Sequence, residues 1–210
     1  MPRDAHSRSD RRLAQVRDER TPAAAGGTWL QQSQAWPTYE ILLSAGWDRE
    51  GALVTALVAR QSPRSGKIAA ATFLVDLACL GVKSAVVRLC KSPQDYATRL
   101  RRSVLQAQPL QPASLDLVAK IVAAGEEYAR QLGFSPDPEY QQAQLLLAGA
   151  HPETCAMTVP LGGPEGKPLF VAGPYDNVPR VMAQLTRAVG EEGFHYVLPL
   201  AGDDQGFQGV

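Results

Sequence analysis

The sequence predicts an α+β domain made of an antiparallel β-meander, central helices and a C-terminal β-α-β unit. Three observations predict it: apolar runs divided by turn residues over 51–89, well-capped helical segments over 92–149, and a strand-helix-strand pattern over 169–198. With 210 residues, 45% of them hydrophobic and 20% charged, the chain can bury a core and is neither disordered as a whole nor fibrous.

The two ends of the chain differ from the middle in composition. Residues 1–28 mix Arg, Asp and Ser before an Ala-Gly run, and residues 1–22 carry a net charge of +2. We expect a disordered N-terminal tail over 1–28, a single domain over 29–200 and a loose C-terminal tail over 201–210. The alternative for the first segment is a basic arm that contacts nucleic acid or a partner.

Order is expected to begin at a tryptophan-rich segment. Trp29, Trp36 and Trp47 fall within nineteen residues. Such residues are typical of core or interface anchors, and we take the three as candidate partner-binding residues. The segment from Pro37 to Trp47 predicts a short helix.

Three apolar runs form the predicted meander. Residues 51–61 and 68–77 flank the turn sequence SPRSGK, and residues 82–89 follow a second turn. The first two runs are almost continuously apolar, which predicts that both faces of the sheet are covered.

The helical middle has clear boundaries. Ser92 and Pro93 open a basic helix to about residue 106, Ser114 opens a buried helix to about residue 132, and Asp137 caps a third that ends at Gly149. The C-terminal unit follows: strands at 157–159 and 169–171 around a hairpin loop, a helix over 179–189, and a strand over 194–198. The loop, LGGPEGKP, lacks the residues of a phosphate-binding loop.

Charged side chains inside the meander give the weak catalytic candidates. Asp76 is expected to be buried, and a turn near Cys79 would place Lys83 across the hairpin from Asp76. One interpretation is a structural ion pair that fixes the register of the hairpin. The other is a small polar site formed by Asp76, Lys83 and Cys79.

The basic helix offers a second candidate site. Residues 88–102 contain five Lys and Arg but one acid, and Arg99, Arg101 and Arg102 are the candidate binding residues. A solvated helix face, an acidic protein partner and a nucleic-acid backbone are the alternatives.

Cysteine usage and the N-terminal sequence predict the compartment. Three widely spaced cysteines do not suggest a disulfide framework, and residues 1–20 lack the apolar core of a signal peptide. We therefore expect a cytoplasmic protein that does not enter a membrane. No metal site and no cofactor are expected, because only His151 and Cys155 come close to the spacing of a metal-ligand pair and no nucleotide motif is present in the sequence.

Three motifs resemble those of an uncharacterised bacterial protein family. They are FLVDLACLGVK at Phe73–Lys83, YARQLGFSP at Tyr128–Pro136, and a GPYDN…QL…VG unit at Gly173–Gly190. The resemblance covers roughly residues 36–198. It implies a self-standing bacterial cytoplasmic protein and supplies no catalytic residue.

The charge total hides a strong asymmetry. Residues 1–110 hold 16 Lys and Arg against 9 Asp and Glu, whereas residues 111–210 hold 5 against 12, so a net charge of zero divides into +7 and −7. The leading functional prediction is a non-enzymatic binding or adaptor protein with a protein partner. The alternatives are an enzyme, hydrolytic or nucleic-acid processing, built around Asp76, Lys83 and Cys79, and a nucleic-acid-associated protein that uses the basic helix.

Overall fold

A computed structural model describes residues 27–49 and 51–198. It shows an α+β fold, with one five-stranded antiparallel sheet, helices, and a two-stranded parallel sheet. The predicted fold class is confirmed. The first helix begins at Gly27, two residues inside the expected N-terminal tail; the rest of that tail and residues 201–210 lie outside the described residues.

The elements of the fold are as follows. The large sheet contains β1 (Thr38–Ser44), β2 (Leu53–Gln61), β3 (Ile68–Asp76), β4 (Gly81–Cys90) and β5 (Leu110–Pro112), in the order β4-β3-β2-β1-β5. The basic helix consists of α2 (Pro93–Asp95), a π-helical turn (Tyr96–Arg101) and α3 (Arg102–Ala107). The remaining elements are α1 (Gly27–Ser33), α4 (Leu115–Gln131), α5 (Tyr140–Ala143) with a 3-10 turn (Gln144–Leu147), β6 (Leu169–Val171), α6 (Val178–Val189) and β7 (His195–Val197); short 3-10 turns occupy Pro152–Thr154 and Pro164–Gly166.

The predicted meander forms three adjacent strands of the sheet, β4-β3-β2, with β4 at one edge, and both of its faces are covered. Every residue of β3 is buried, as expected for a strand between two helical layers. One face packs against α4 through Val118, Ile121 and Val122. The opposite face packs against the basic helix, in which the buried residues Tyr96, Leu100 and Val104 recur every fourth position.

The helix predicted between Pro37 and Trp47 is wrong, because this segment forms β1. Its apolar run Ile41-Leu42-Leu43 pairs with β2, so Leu42 packs toward the basic helix and Leu43 toward α4. A short apolar run that is buried on both sides has no period by which to separate a strand from a helix.

The C-terminal β-α-β unit is confirmed, since β6 and β7 pair in parallel and α6 lies between them in the chain. The strand predicted at 157–159 is wrong: these residues are irregular, and the loop after them is not a hairpin. Its backbone instead bonds the turn after β3, where the Gly162 N–H donates to the Leu77 carbonyl.

Arg60 ties two peripheral segments to the sheet. Its guanidinium is buried and donates to the carbonyls of Gln34 and Trp36 at 3.2 and 2.9 Å, and to that of Leu146 at 2.8 Å. A fourth bond reaches the Ala148 carbonyl. The residues after α1 and after α5 are therefore held by one side chain.

None of the helices within residues 27–49 and 51–198 is both long and apolar enough to cross a membrane.

Candidate functional site

The turn after β3 forms a buried polar corner, which we define as Asp76, Cys79, Lys83 and Asp176. Asp76 ends β3, and its Oδ1 accepts hydrogen bonds from the backbone N–H groups of Ala78 and Cys79, at 2.9 and 3.1 Å. Burial raises the pKa of Asp76, while the nearby charge of Lys83 and the backbone donors act in the opposite direction. The carboxyl group is therefore used to shape the turn.

Lys83 forms an ion pair with Asp176 that the sequence did not predict, and it does not lie directly opposite Asp76 as predicted, although its charge acts on that carboxyl group. The Lys83 Nζ lies 2.8 Å from the Asp176 Oδ2, and the two side chains are only 11% and 12% exposed. The register places Gly81 opposite Asp76, because a bulge between Leu74 and Val75 shifts β4. The pair joins the large sheet to the turn before α6.

Cys79 is fully buried among the apolar residues that connect the turn to the C-terminal unit. Burial raises the pKa of its thiol strongly, and the Asp76 carboxylate adds to the effect. The nucleophilic form of cysteine is the thiolate, which this environment suppresses. The corner thus brings the three catalytic candidates together without providing a reactive nucleophile.

Sequence reasoning missed two members of this region. The sequence offers both Asp176 and Asn177 as caps for α6; Asn177 accepts the Arg180 N–H there, and Asp176 pairs with Lys83 instead. Tyr128 lies on α4 with its hydroxyl buried and without a hydrogen-bond partner in the described part of the chain. Burial raises its pKa to about 12. The signal for Asp176 in the sequence was an acid in the polar turn Gly173–Asn177.

The basic helix carries the exposed cations. The Arg99 side chain is 81% exposed and only 3.4 Å from the Asp95 carboxylate one turn earlier, and Lys91 and Arg102 are exposed as well. Arg101 is different, because its Nε lies 2.9 Å from a carboxylate oxygen of Glu40 on β1. The helix begins as predicted, with the Ser92 hydroxyl accepting the Asp95 N–H.

Further cations lie at the same end of the sheet. The pairing of Ile68 with Cys90 places Lys67 and Lys91 just beyond the last ladder position of β3 and β4, and Arg64 is in the loop before β3. Lys67 and Arg64 are exposed. We call the six residues Arg64, Lys67, Lys91, Arg99, Arg101 and Arg102 the basic face.

The three tryptophans lie in or against the core. Trp47 is buried, while Trp29 and Trp36 are half-buried and pack on the cluster beneath α4. Their proposed partner-binding role stays a prediction, and the burial of Trp47 shows a structural role for that residue.

The basic helix and α4 pack on opposite faces of the large sheet. α4 carries Asp116, Glu126 and Glu127 together with Lys120 and Arg130, so the two helices differ in charge less than the two halves of the sequence do. The Lys83–Asp176 pair links the two halves of the chain, but it lies in the polar corner, away from the basic helix. Within the described ranges, no three His, Cys, Asp or Glu side chains are grouped so that they could hold a metal ion.

Comparison with known proteins found no matching family model, curated protein or solved structure. The fold and the two charged regions therefore define an α+β protein with a closed polar corner and an open basic face, and the resemblance to an uncharacterised bacterial family stays a prediction.

Proposed function

We propose that this chain is a non-enzymatic binding protein of the bacterial cytoplasm, an adaptor that contacts an acidic protein surface through the basic face. The observation that carries the proposal is the exposure of Arg99 and Arg102 on the helix that follows β4, at whose end Lys67 and Lys91 are exposed as well. Complementary charge of this kind accelerates association and selects partners more than it adds raw affinity.

The state of the polar corner supports binding over catalysis. An active site would need Asp76 and Lys83 open to a substrate, whereas Lys83 is paired with Asp176 and Asp76 is bonded to the turn backbone. The raised pKa of Cys79 removes the remaining nucleophile candidate. The contacts of these three side chains therefore favour a role in stabilising the corner.

A protein partner fits the basic face better than a nucleic-acid backbone does. Two carboxylates, Glu40 and Asp95, contact its arginines. An acidic protein surface can place its carboxylates at the arginines and avoid the two acids, while the uniform negative field of nucleic acid would be opposed at both acids.

The test is affinity capture from nuclease-treated lysate of the native cell with two charge-matched variants. Arg99→Glu/Arg102→Glu reverses the basic face, and Arg180→Glu/Arg187→Glu makes the same charge change at exposed positions of α6. We expect a specific protein to be retained by the wild type and the α6 variant, lost from the R99E/R102E variant, and released by salt.

Two results would overturn the proposal. One is equal retention of every captured protein by both variants. The other is direct, salt-sensitive binding of duplex DNA or single-stranded RNA that R99E/R102E alone abolishes, because the basic face would then be a nucleic-acid interface.

A further inference from the structure

Two irregular segments meet within the basic face. The register of β1 against β2 shifts between Thr38 and Glu40, so Tyr39 is an extra residue that bulges from the ladder. Opposite it, the basic helix contains a π-helical turn that ends at Arg101. Bulges and π-turns both redirect side chains and are frequent near functional sites. Here they bring Glu40 and Arg101 together.

Glu40 is held by two donors. The Arg101 Nε donates to both carboxylate oxygens, at 3.0 and 2.9 Å, and the Tyr96 hydroxyl donates to one of them at 2.6 Å. The ring of Tyr39 packs edge-on against Tyr96 with its centroid 5.5 Å away. The carboxylate is thereby fixed at one place on the face.

The pair lies at the surface, unlike the pair in the polar corner. The side chains of Arg101 and Glu40 are 39% and 23% exposed. An incoming carboxylate can therefore reach the guanidinium, but it must compete with Glu40 and approach a negative charge. Arg99 and Arg102 do not share this contact in the described structure.

We infer that Glu40 is a built-in competitor of the basic face, a residue that limits the affinity of the face for acidic ligands by occupying Arg101. This inference rests on the proposed function, and it adds to that function a residue that sets its strength. Neutralising Glu40 would release one arginine for the ligand and remove one repulsive charge. Both changes should raise the affinity of the basic face for an acidic ligand.

The alternative is that Glu40 only fastens the basic helix to β1. The two roles differ in what the Glu40→Gln change does to binding. The amide that this substitution introduces can still accept the Tyr96 hydroxyl, so the helix keeps one attachment, while its neutral oxygen holds Arg101 more weakly than the carboxylate does. A fastening role would leave binding unchanged or weaken it.

The experiment measures binding of fluorescein-labelled poly-L-glutamate to the full chain by anisotropy over a series of salt concentrations. The control is Glu127→Gln, which removes the same charge from an Arg–Glu pair with Arg130 on α4, on the opposite face of the sheet. We expect E40Q to bind about three- to tenfold more tightly than wild type at low salt, with a steeper salt dependence, and E127Q to match wild type.

A double substitution separates the competitor role from a general gain of positive charge. In an Arg101→Gln background, Glu40→Gln should give a smaller gain than in the wild-type chain, because the arginine that it would release is absent and only the removal of one repulsive charge remains. Thermal unfolding of each variant checks that the proteins are folded at the temperature of the binding measurement.

Unchanged or weaker binding by folded E40Q would overturn the inference, as would an equal gain in E127Q or absence of binding by both wild type and E40Q. The capture experiment with R99E/R102E decides the proposed function independently. If that variant loses the partner while E40Q behaves as wild type, the proposed function stands and the competitor role of Glu40 fails.

Discussion

Lys83 and Arg99 are both cations that contact an aspartate, and they differ in almost everything else. Lys83 lies 2.8 Å from Asp176 with both side chains about nine-tenths buried, at the junction of the sheet and the C-terminal unit. Arg99 lies 3.4 Å from Asp95 and is 81% exposed on a helix surface. A buried pair cannot lose one partner without leaving an uncompensated charge, whereas an exposed pair exchanges its partner with water at little cost.

The difference separates stability from binding. The charges of the polar corner are paired within the molecule. Substitutions there should therefore lower stability, and the corner has no free charge for a ligand. The basic face has charges that remain available, so it can bind without being needed for folding. Substitutions in the two regions should therefore have opposite consequences.

The largest effect is expected from Lys83→Met. It leaves Asp176 and Asp76 as buried carboxylates without their cation, which should lower the free energy of unfolding by about 3–5 kcal/mol. Urea denaturation measures it. The control Lys67→Met, at an exposed position of the basic face, should change that free energy by less than about 0.5 kcal/mol. An equal loss of unfolding free energy in K83M and K67M would contradict the stabilising role of the polar corner.

The second effect is expected from Arg60→Met, which removes a buried cation held by carbonyls alone. The carbonyls of Gln34, Trp36 and Leu146 would lose their donor, and we expect a loss of about 1–3 kcal/mol in the free energy of unfolding. Arg64→Met in the neighbouring loop is the control. Hydrogen exchange should show that protection is lost mainly in α1 and in the segment after α5. A uniform loss of protection across the chain would contradict the role of Arg60 in holding these two segments.

Ser92→Ala should have a smaller effect, because it removes only the side-chain cap of the basic helix. The expected loss is about 1 kcal/mol in the free energy of unfolding. The exposed Ser135, which follows α4, provides a matched Ser→Ala control with no cap to lose. A Ser92 variant as stable as the Ser135 variant would mean that Pro93 and Asp95 suffice to begin the helix.

The smallest effect is expected from Asp76→Asn, and it appears as a pH dependence. Burial raises the pKa of Asp76 in the folded chain above its ordinary value of 3.8, so the folded state holds this proton more tightly than the unfolded state does. The resulting stabilisation is present below pH 3.8 and is lost as the pH rises through the folded pKa. Denaturation at several pH values should show wild type losing stability relative to D76N over this range, and a constant difference would contradict the burial argument.

The sequence was informative wherever local chemistry decides the structure. The caps at Ser92 and Ser114 and the left-handed glycines at Gly133 and Gly190 mark helix boundaries that the structure confirms. Alternating turn and apolar segments likewise predicted the meander. These signals act within a few residues of the feature that they specify.

The features that could not be predicted from the sequence depend on contacts between distant segments. Lys83 meets an aspartate 93 positions later because α6 and β6 pack beneath the turn after β3, and Glu40 meets Arg101 across 61 positions. Residues 38–44 formed a strand because they pair with β2, a property of the sheet and not of the segment. The closed corner and the competitor at Arg101 were visible only once these segments were placed.

The most direct test of the account is partner capture by two folded variants, Arg99→Glu/Arg102→Glu and Lys83→Met, compared at equal folded fraction. We expect the R99E/R102E variant to keep the stability of wild type and lose the partner, and the K83M variant to be less stable and retain it. Loss of the partner by folded K83M, together with its retention by R99E/R102E, would contradict the assignment of stability to the corner and binding to the face.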